Sequence, residues 1–210
     1  MNLANHYWYF QSAIPIRICD DIIKHGMEQQ EEIAITGTQK GKDPKNLCEE
    51  DLKILHKKRK SNISWMNDRW IYKEIQPYIH AANQKAGWNF EWDFSESCQF
   101  TKYKLNQFYD WHCDSNELPY DRPEELNKHG KIRKLSTTVS LVDGSEYEGG
   151  DFEFDFRNKD DGSNVPYVCK EIKPKGSIVV FPSFVWHRVK PVTEGTRYSL
   201  VMWNLGWPYR

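Results

Sequence analysis

Apolar residues recur at helix-like intervals in two stretches of the first half of the chain and alternate with polar ones through much of the second half. Over residues 14–32 an apolar, proline-containing lead runs into Ile22, Ile23 and Met27. This predicts a helix capped by Asp20 or Asp21 and weakened by Gly26. Residues 36–46, rich in Gly, Lys and polar side chains, predict a loop. Trp70, Ile71, Ile75, Tyr78, Ile79 and Ala82 predict a second helix over 67–85, ended by Gly87 and open to being split at Pro77. The period then changes. Trp88, Phe90, Trp92 and Phe94 alternate, and 98–109 mixes aromatic and polar residues as half-buried strands do. Further strands are predicted at 135–142, 151–156, 168–172, 177–181 and 198–203, most of them separated by Gly, Pro and Asp-rich turns. Short strands at this spacing predict a fold that is mainly β with α support: a double-sheet jelly roll, its amino-terminal helices packed on one sheet. The expected organisation is a single domain over 1–210, with helical support over about 1–87 and a jelly-roll core over about 88–205.

A chain of 210 residues suits one well-buried core better than two full domains, and 14% aromatic residues argue for a folded body. Lys plus Arg total 29 against 30 Asp plus Glu, a net charge of -1, which gives no global case for nucleic acid or an anionic membrane as partner. The basic stretch KILHKKRK (53–60) could touch a polyanion but reads better as a solvated, mobile connector. Five cysteines without a regular framework, and no secretory segment at the amino terminus, point to a reducing compartment and a cytoplasmic location. No apolar stretch approaches the length needed to span a bilayer. Nothing in the pattern indicates an oligomeric state.

Against this background His112-Cys113-Asp114, with His187 and Arg197 further on, is the most informative set. Two imidazoles and one carboxylate are the protein half of a mononuclear non-heme iron site, and they leave adjacent coordination positions open. His112 and Asp114 are two apart, so on an extended strand both leave the same face, while Cys113 faces away as a structural thiol. A structural zinc site would want a fourth ligand, and that direction argues against Cys113. His187 follows the apolar, Pro-containing FPSFVW; the other five histidines lie in poorer contexts. Arg197, between Thr196 and the apolar run 198–203, is expected to point into a cavity. There it can meet the far carboxylate of a dicarboxylate such as 2-oxoglutarate through two parallel hydrogen bonds. Ser199, two residues on and so on the same face, can support that carboxylate. Residues 120–130 interrupt the strand pattern with charge and turn formers, and read equally as a mobile flap near the metal or as an ordinary surface loop.

These stretches resemble the iron(II)- and 2-oxoglutarate-dependent dioxygenase superfamily, in its prolyl 4-hydroxylase-like branch. The matching segments are Tyr103-x-x-x-x-x-Tyr109-x-x-His112-x-Asp114, KLSTTVSLV (134–142), EGGDFEF (148–154), PKGSIVVFPSFVWHRVKPV (174–192) and GTRYSLVMWNLGW (195–207). The last three are also similar to bacterial hydroxylases of the branch known for a Pro-Lys-His-Asp signature. The resemblance covers roughly 98–205 and implies a double-stranded β-helix. It implies His112, Asp114 and His187 as iron ligands, Arg197 as anchor of the distal carboxylate, Tyr103 as a donor to it and Ser199 as an assistant. Gly149 and Gly150 would form a tight turn, Pro182 and Ser183 the turn that delivers His187, and Trp203 would stand near the substrate mouth. Asn106 replaces a glycine frequent in the branch. Arg197 replaces the lysine of the collagen-modifying enzymes, and Ser140 stands where the oxygen-sensing type has a tyrosine.

The activity implied is consumption of O2 and 2-oxoglutarate, release of succinate and carbon dioxide, and hydroxylation of an unactivated C–H bond, with ascorbate rescuing oxidised iron. A prolyl residue in a peptide or protein is the first expectation for the substrate, with Trp111, Tyr120, Trp186 and Trp203 lining an apolar groove. Another protein side chain or a small metabolite is the alternative. Two further readings stay open: a metal-binding jelly roll that senses rather than turns over, and a non-catalytic interaction module.

Overall fold

The computed structural model describes residues 3–36, 43–116, 118–156 and 165–209; part of the predicted loop at 36–46 lies outside them. In chain order its elements are β1 (Trp8–Phe10), α1 (Ile16–Glu28), β2 (Glu32–Ile33), α2 (Glu49–Lys58), β3 (Arg59–Lys60), β4 (Asn62–Met66) and α3 (Arg69–Lys85). There follow β5 (Phe94–Ser95), β6 (Cys98–Tyr103), β7 (Phe108–His112), β8 (Ile132–Ser140), β9 (Tyr147–Gly149) and β10 (Phe152–Asp155). The last are β11 (Tyr167–Val168), β12 (Ile178–Pro182), β13 (Trp186–Val189), β14 (Val192–Gly195) and β15 (Arg197–Gly206).

Among the described residues the larger sheet runs β1-β12-β8-β15-β6-β4-β2, with β5 paired to the end of β15; the smaller runs β11-β10-β13-β7-β3, and β9 and β14 pair separately. Neighbouring strands are antiparallel. Strand alternation sorts the side chains into two cores. Ile178 and Val180 of β12, Leu135 and Val139 of β8, and Leu200 and Met202 of β15 pack with Ile18 and Ile22 of α1 and with Ile71, Ile75 and Ile79 of α3. Their opposite neighbours Val179 and Phe181 pack with Phe152, Phe154 and Val189 of the smaller sheet. The two sheets therefore face one another, and the helices cover the larger one from outside.

Several expectations need correction. Asp20 and Asp21 lie inside α1, which begins after Pro15 without a side-chain cap. Gly26 is buried there because the Phe100 ring presses on it: an added Cβ would stand 2.5 Å from Phe100 Cγ. Pro77 does not split α3; it lies on the exposed side of the helix, so the carbonyl it leaves unpaired can turn to solvent. The alternation at 88–94 is real in burial but builds no strand before Phe94. The Asn83 side chain takes both backbone groups of Phe90, at 2.9 Å each, and Asn89 adopts positive φ. Of the predicted strand at 168–172 only Val168, the end of β11, is a strand residue, and Lys170–Ile172 form a 3-10 turn.

The supposed connector at 53–60 is ordered. Residues 53–58 complete α2, whose first turn carries Glu49, Glu50 and Asp51 and whose last turn carries His56, Lys57 and Lys58, complementing the helix dipole. Arg59 and Lys60 then pair with Tyr109 and Phe108 of β7. Nor is the amino terminus purely helical support: β1 and β4 join the larger sheet and β3 the smaller.

Candidate active site

The smaller sheet brings the predicted ligands together. His112 of β7 stands opposite His187 of β13 in register, and Phe154 of β10 backs His187 from the other side. β7 ends at His112, so Asp114 is held by a turn rather than by a strand. Its N–H and that of Ser115 both donate to the Ser183 carbonyl at 2.9 Å. Ser183 is itself fixed, its N–H on the Lys134 carbonyl and its hydroxyl 2.9 Å from that of Ser136. The Pro182-Ser183 corner thus leads to His187 and also positions Asp114.

Possible ligand atoms of His112, Asp114 and His187 all lie within 4.8 Å of one another. Both imidazole Nε2 atoms are 3.6 Å from a carboxylate oxygen of Asp114. Each Nδ1 lies within hydrogen-bond reach of a backbone carbonyl, Asp110 at 2.8 Å and Val185 at 3.0 Å. An N–H donated there leaves the Nε2 lone pair facing the carboxylate, which is the tautomer a metal requires. Burial, reinforced by His187, lowers the His112 pKa well below its ordinary value, so the ring is a neutral ligand. Burial also works against the Asp114 carboxylate, but His187, His112, Arg133 and Trp203 outweigh it and hold its pKa down at about 2. Cys113 is no part of this cluster; its thiol reaches the Ser115 carbonyl at 3.6 Å.

Arg197 enters the same cavity, of about 760 Å³, from β15. It is 2% exposed, and among the described residues no carboxylate pairs with it. Stranding a buried charge by removing its partner costs roughly 3–5 kcal/mol, so a buried guanidinium without an acid implies an anion that comes from outside the chain. Nη1 reaches the Ser199 hydroxyl at 3.4 Å, and the group lies 5.4 Å from the ring centre of Tyr103, its partner across the β15–β6 ladder. Gly150, at φ +57°, packs against the Arg197 stem, where a Cβ would come within 3.2 Å of Cδ. Asn106 holds φ +60°, the left-handed conformation that a glycine takes without strain and asparagine tolerates. Ser140 spends its hydroxyl on the Val142 carbonyl.

Trp111, Tyr120, Trp186 and Trp203 all line the cavity. Three of them already carry a guanidinium over the ring: Trp111 has Arg188 at 4.5 Å, Trp203 has Arg133 at 3.9 Å and Tyr120 has Arg122 at 5.6 Å. The 120–130 segment is a loop closed at its base. Tyr120 N–H donates to the Lys131 carbonyl, Gly130 N–H donates to that of Tyr120, and Tyr120 and Arg122 face the cavity.

Sequence reasoning missed Arg133, which is paired with Glu96 at 2.6 Å, and Arg59, which lies over Tyr109. Arg133 has the wrong parity for the inner face of β8; the register irregularity between Asn204 and Leu205 on its partner strand accompanies its turn inward. The signal for Arg59 was the basic run at 53–60, set aside as solvated.

Comparison with known proteins agrees with this geometry. Residues 98–204 match the profile of the 2OG-Fe(II) oxygenase superfamily, a segment that holds all three ligand candidates and Arg197. The chain belongs to this family. Its sequence is similar to PKHD-type hydroxylases, and its fold is similar to that of prolyl hydroxylases. Over 108 residues it is 35% identical to a PKHD-type hydroxylase of Synechococcus sp. (strain CC9902), and over 105 residues 31% identical to one of Aliarcobacter butzleri (strain RM4018). These matches cover 51% and 50% of the chain; it spans about 40% of the length of those relatives. Its fold is similar to that of a viral collagen prolyl hydroxylase from Paramecium Bursaria Chlorella virus-1, with a TM-score of 0.63 at 19% identity over 97% of each chain. A Pseudomonas putida prolyl-4-hydroxylase gives 0.65 at 17% identity, over 96% of this chain and 93% of its own. The arrangement is thus a mixed α/β fold of the jelly-roll kind, although among the described residues strand pairing does not close it into a barrel.

Proposed function

We propose that this chain is an iron(II)- and 2-oxoglutarate-dependent dioxygenase that hydroxylates a prolyl residue of a peptide or protein. The observation that carries the reading is a buried, acid-free Arg197 in the same cavity as three convergent metal-ligating side chains. A metal-binding module without co-substrate has no use for that cation. In this reading His112 and His187 present Nε2, Asp114 presents its carboxylate, and Arg197, with Ser199 and Tyr103, holds the far carboxylate of the keto acid. When bound, iron(II) and 2-oxoglutarate supply oxidative decarboxylation by O2, giving succinate and carbon dioxide and passing one oxygen atom to a substrate C–H bond.

The protein's own work is to orient and exclude. The Asp110 and Val185 carbonyls fix the two rings, and Ser183 fixes Asp114. In this reading the aromatic walls keep water from the reacting carbon, and a pyrrolidine ring would be received among Trp186, Tyr120 and Trp203, on the ring faces that Arg122 and Arg133 do not cover. Asp114 acts as a ligand and not as a general base. The proline preference is supported by the structural neighbours named as prolyl hydroxylases and by these aromatic walls. The cysteines form no disulfide among the described residues, and no described helix is long and apolar enough to cross a membrane. The test is incubation with iron(II), 2-oxoglutarate, oxygen, ascorbate and proline-containing peptides, reading succinate and peptide mass together. Succinate with a +16 Da peptide is expected; succinate with every peptide unchanged would move the search to other side chains or small metabolites.

A further inference from the structure

The cavity holds a second buried guanidinium that the chemistry above leaves unused. Of its basic lining residues, Arg122 is paired with Glu125, Arg133 with Glu96, and Arg197 is assigned to the keto acid. Arg59 and Lys58 remain, and among the described residues no carboxylate pairs with either. Glu32, the acidic residue on this edge, is engaged by the Trp65 indole at 2.7 Å. Lys58 is exposed at the rim, but Arg59 is 5% exposed. Its Nε donates to the Ser61 hydroxyl at 2.9 Å, and its Nη2 is buried with no acceptor. The guanidinium carbon lies 4.4 Å from the centre of the Tyr109 ring, which stacks on His112 at 3.5 Å. Arg59 is therefore clamped by Ser61 and Tyr109, two stacking layers from the metal site.

A clamped guanidinium with a spare donor is built to receive a planar oxyanion. We infer that Arg59 binds a carboxylate of the substrate to be hydroxylated, supplied in a peptide by an Asp or Glu close to the target residue. This deepens the hydroxylase reading and rests on it. Arg59 is a specificity residue and not a metal or keto-acid contact.

The experiment presents the iron-loaded chain, with 2-oxoglutarate and oxygen, with a library of peptides randomised around a central proline; +16 Da products are sequenced by mass. A charge-assisted hydrogen bond contributes about 1.5–3 kcal/mol, or roughly 10–150-fold in selection. Hydroxylated peptides should be enriched about tenfold or more in Asp and Glu over Asn and Gln near the modified residue. Arg59→Gln should bring that ratio below about twofold, and Arg59→Lys should restore part of it, with thermal midpoints confirming that both variants fold. Products without acidic enrichment, or with the same enrichment in Arg59→Gln, overturn the inference. A second arm offers free carboxylic acids and their amides. Turnover of acids alone, lost in Arg59→Gln, keeps the carboxylate at Arg59 while refuting the peptide substrate. No oxidised product in either arm refutes both.

Discussion

Single side chains here are read by what they lack as much as by what they touch. Among the described residues no acid pairs with Arg197, so its removal should be felt by the co-substrate and not by the metal. Arg197→Ala is expected to raise the 2-oxoglutarate concentration needed for half-maximal succinate release by roughly 10–150-fold, the range of a hydrogen bond to a charged group. Iron affinity should stay within a few-fold. Superimposable 2-oxoglutarate saturation curves for variant and parent would refute the role.

His112 gives a second test, in pH. Its pKa is lowered by burial first and by His187 next, so the folded protein resists a proton that the unfolded chain accepts near 6.5. Below that value the unfolded state binds more protons, and the stability of the metal-free protein is lost as pH falls below about 6.5. Asp114 acts in the same direction further down, its contribution being lost between about 3.8 and about 2. Unfolding midpoints of the metal-free protein should therefore fall between pH 7.5 and 5, less steeply in His112→Ala. Equal slopes for the two proteins would count against a neutral, buried His112.

At the scale of elements, the long central strands of the larger sheet, buried on both faces, were the most legible. In β8 and β15 the apolar positions Leu135, Val139, Leu200 and Met202 are those that face the helix-covered core, while the continuously apolar β12 sends Ile178 and Val180 there and Val179 and Phe181 to the other core. The elements that stayed hidden are short or closed by tertiary contacts. β1 and β3 have three and two residues and no period of their own, and α2 is so polar that its charges hid a helix. At 88–94 the alternation misled because the pairing partner is one asparagine side chain and not a strand. Of the site, the ligands and Arg197 were legible from residue type and spacing, while Arg59 and Arg133 depend on sheet pairing and register, which no local pattern carries.

Gly26 tests the same lesson energetically. On helix propensity alone Gly26→Ala should stabilise α1 by about 1 kcal/mol, but the new Cβ would meet the buried Phe100 ring. Overpacking costs about 1–3 kcal/mol, so net destabilisation is expected in denaturant unfolding. A more stable variant would show that the Phe100 contact yields.

Across the whole molecule, the larger sheet and its helices form the rigid back, while the smaller sheet, the 120–130 loop and Arg59 surround the opening to the metal site. That loop is tied at its base and places Tyr120 and Arg122 on the cavity, whereas Leu126 at its tip is 83% exposed. Trypsin cleavage within it, after Lys128, should slow when metal, 2-oxoglutarate and an accepted peptide are all bound. Unchanged cleavage with a confirmed substrate would mark it as an ordinary surface loop.

His112, Asp114 and His187 are proposed to form one iron site that turns over 2-oxoglutarate. Its most direct test is succinate release from anaerobically purified protein reconstituted with iron(II) and 2-oxoglutarate and then exposed to oxygen, parent beside His112→Ala and Asp114→Ala. The account predicts iron-dependent succinate from the parent and its loss in both variants, with the fold retained. Iron-loaded variants as active as the parent, or a parent that binds neither iron nor the keto acid, would contradict it.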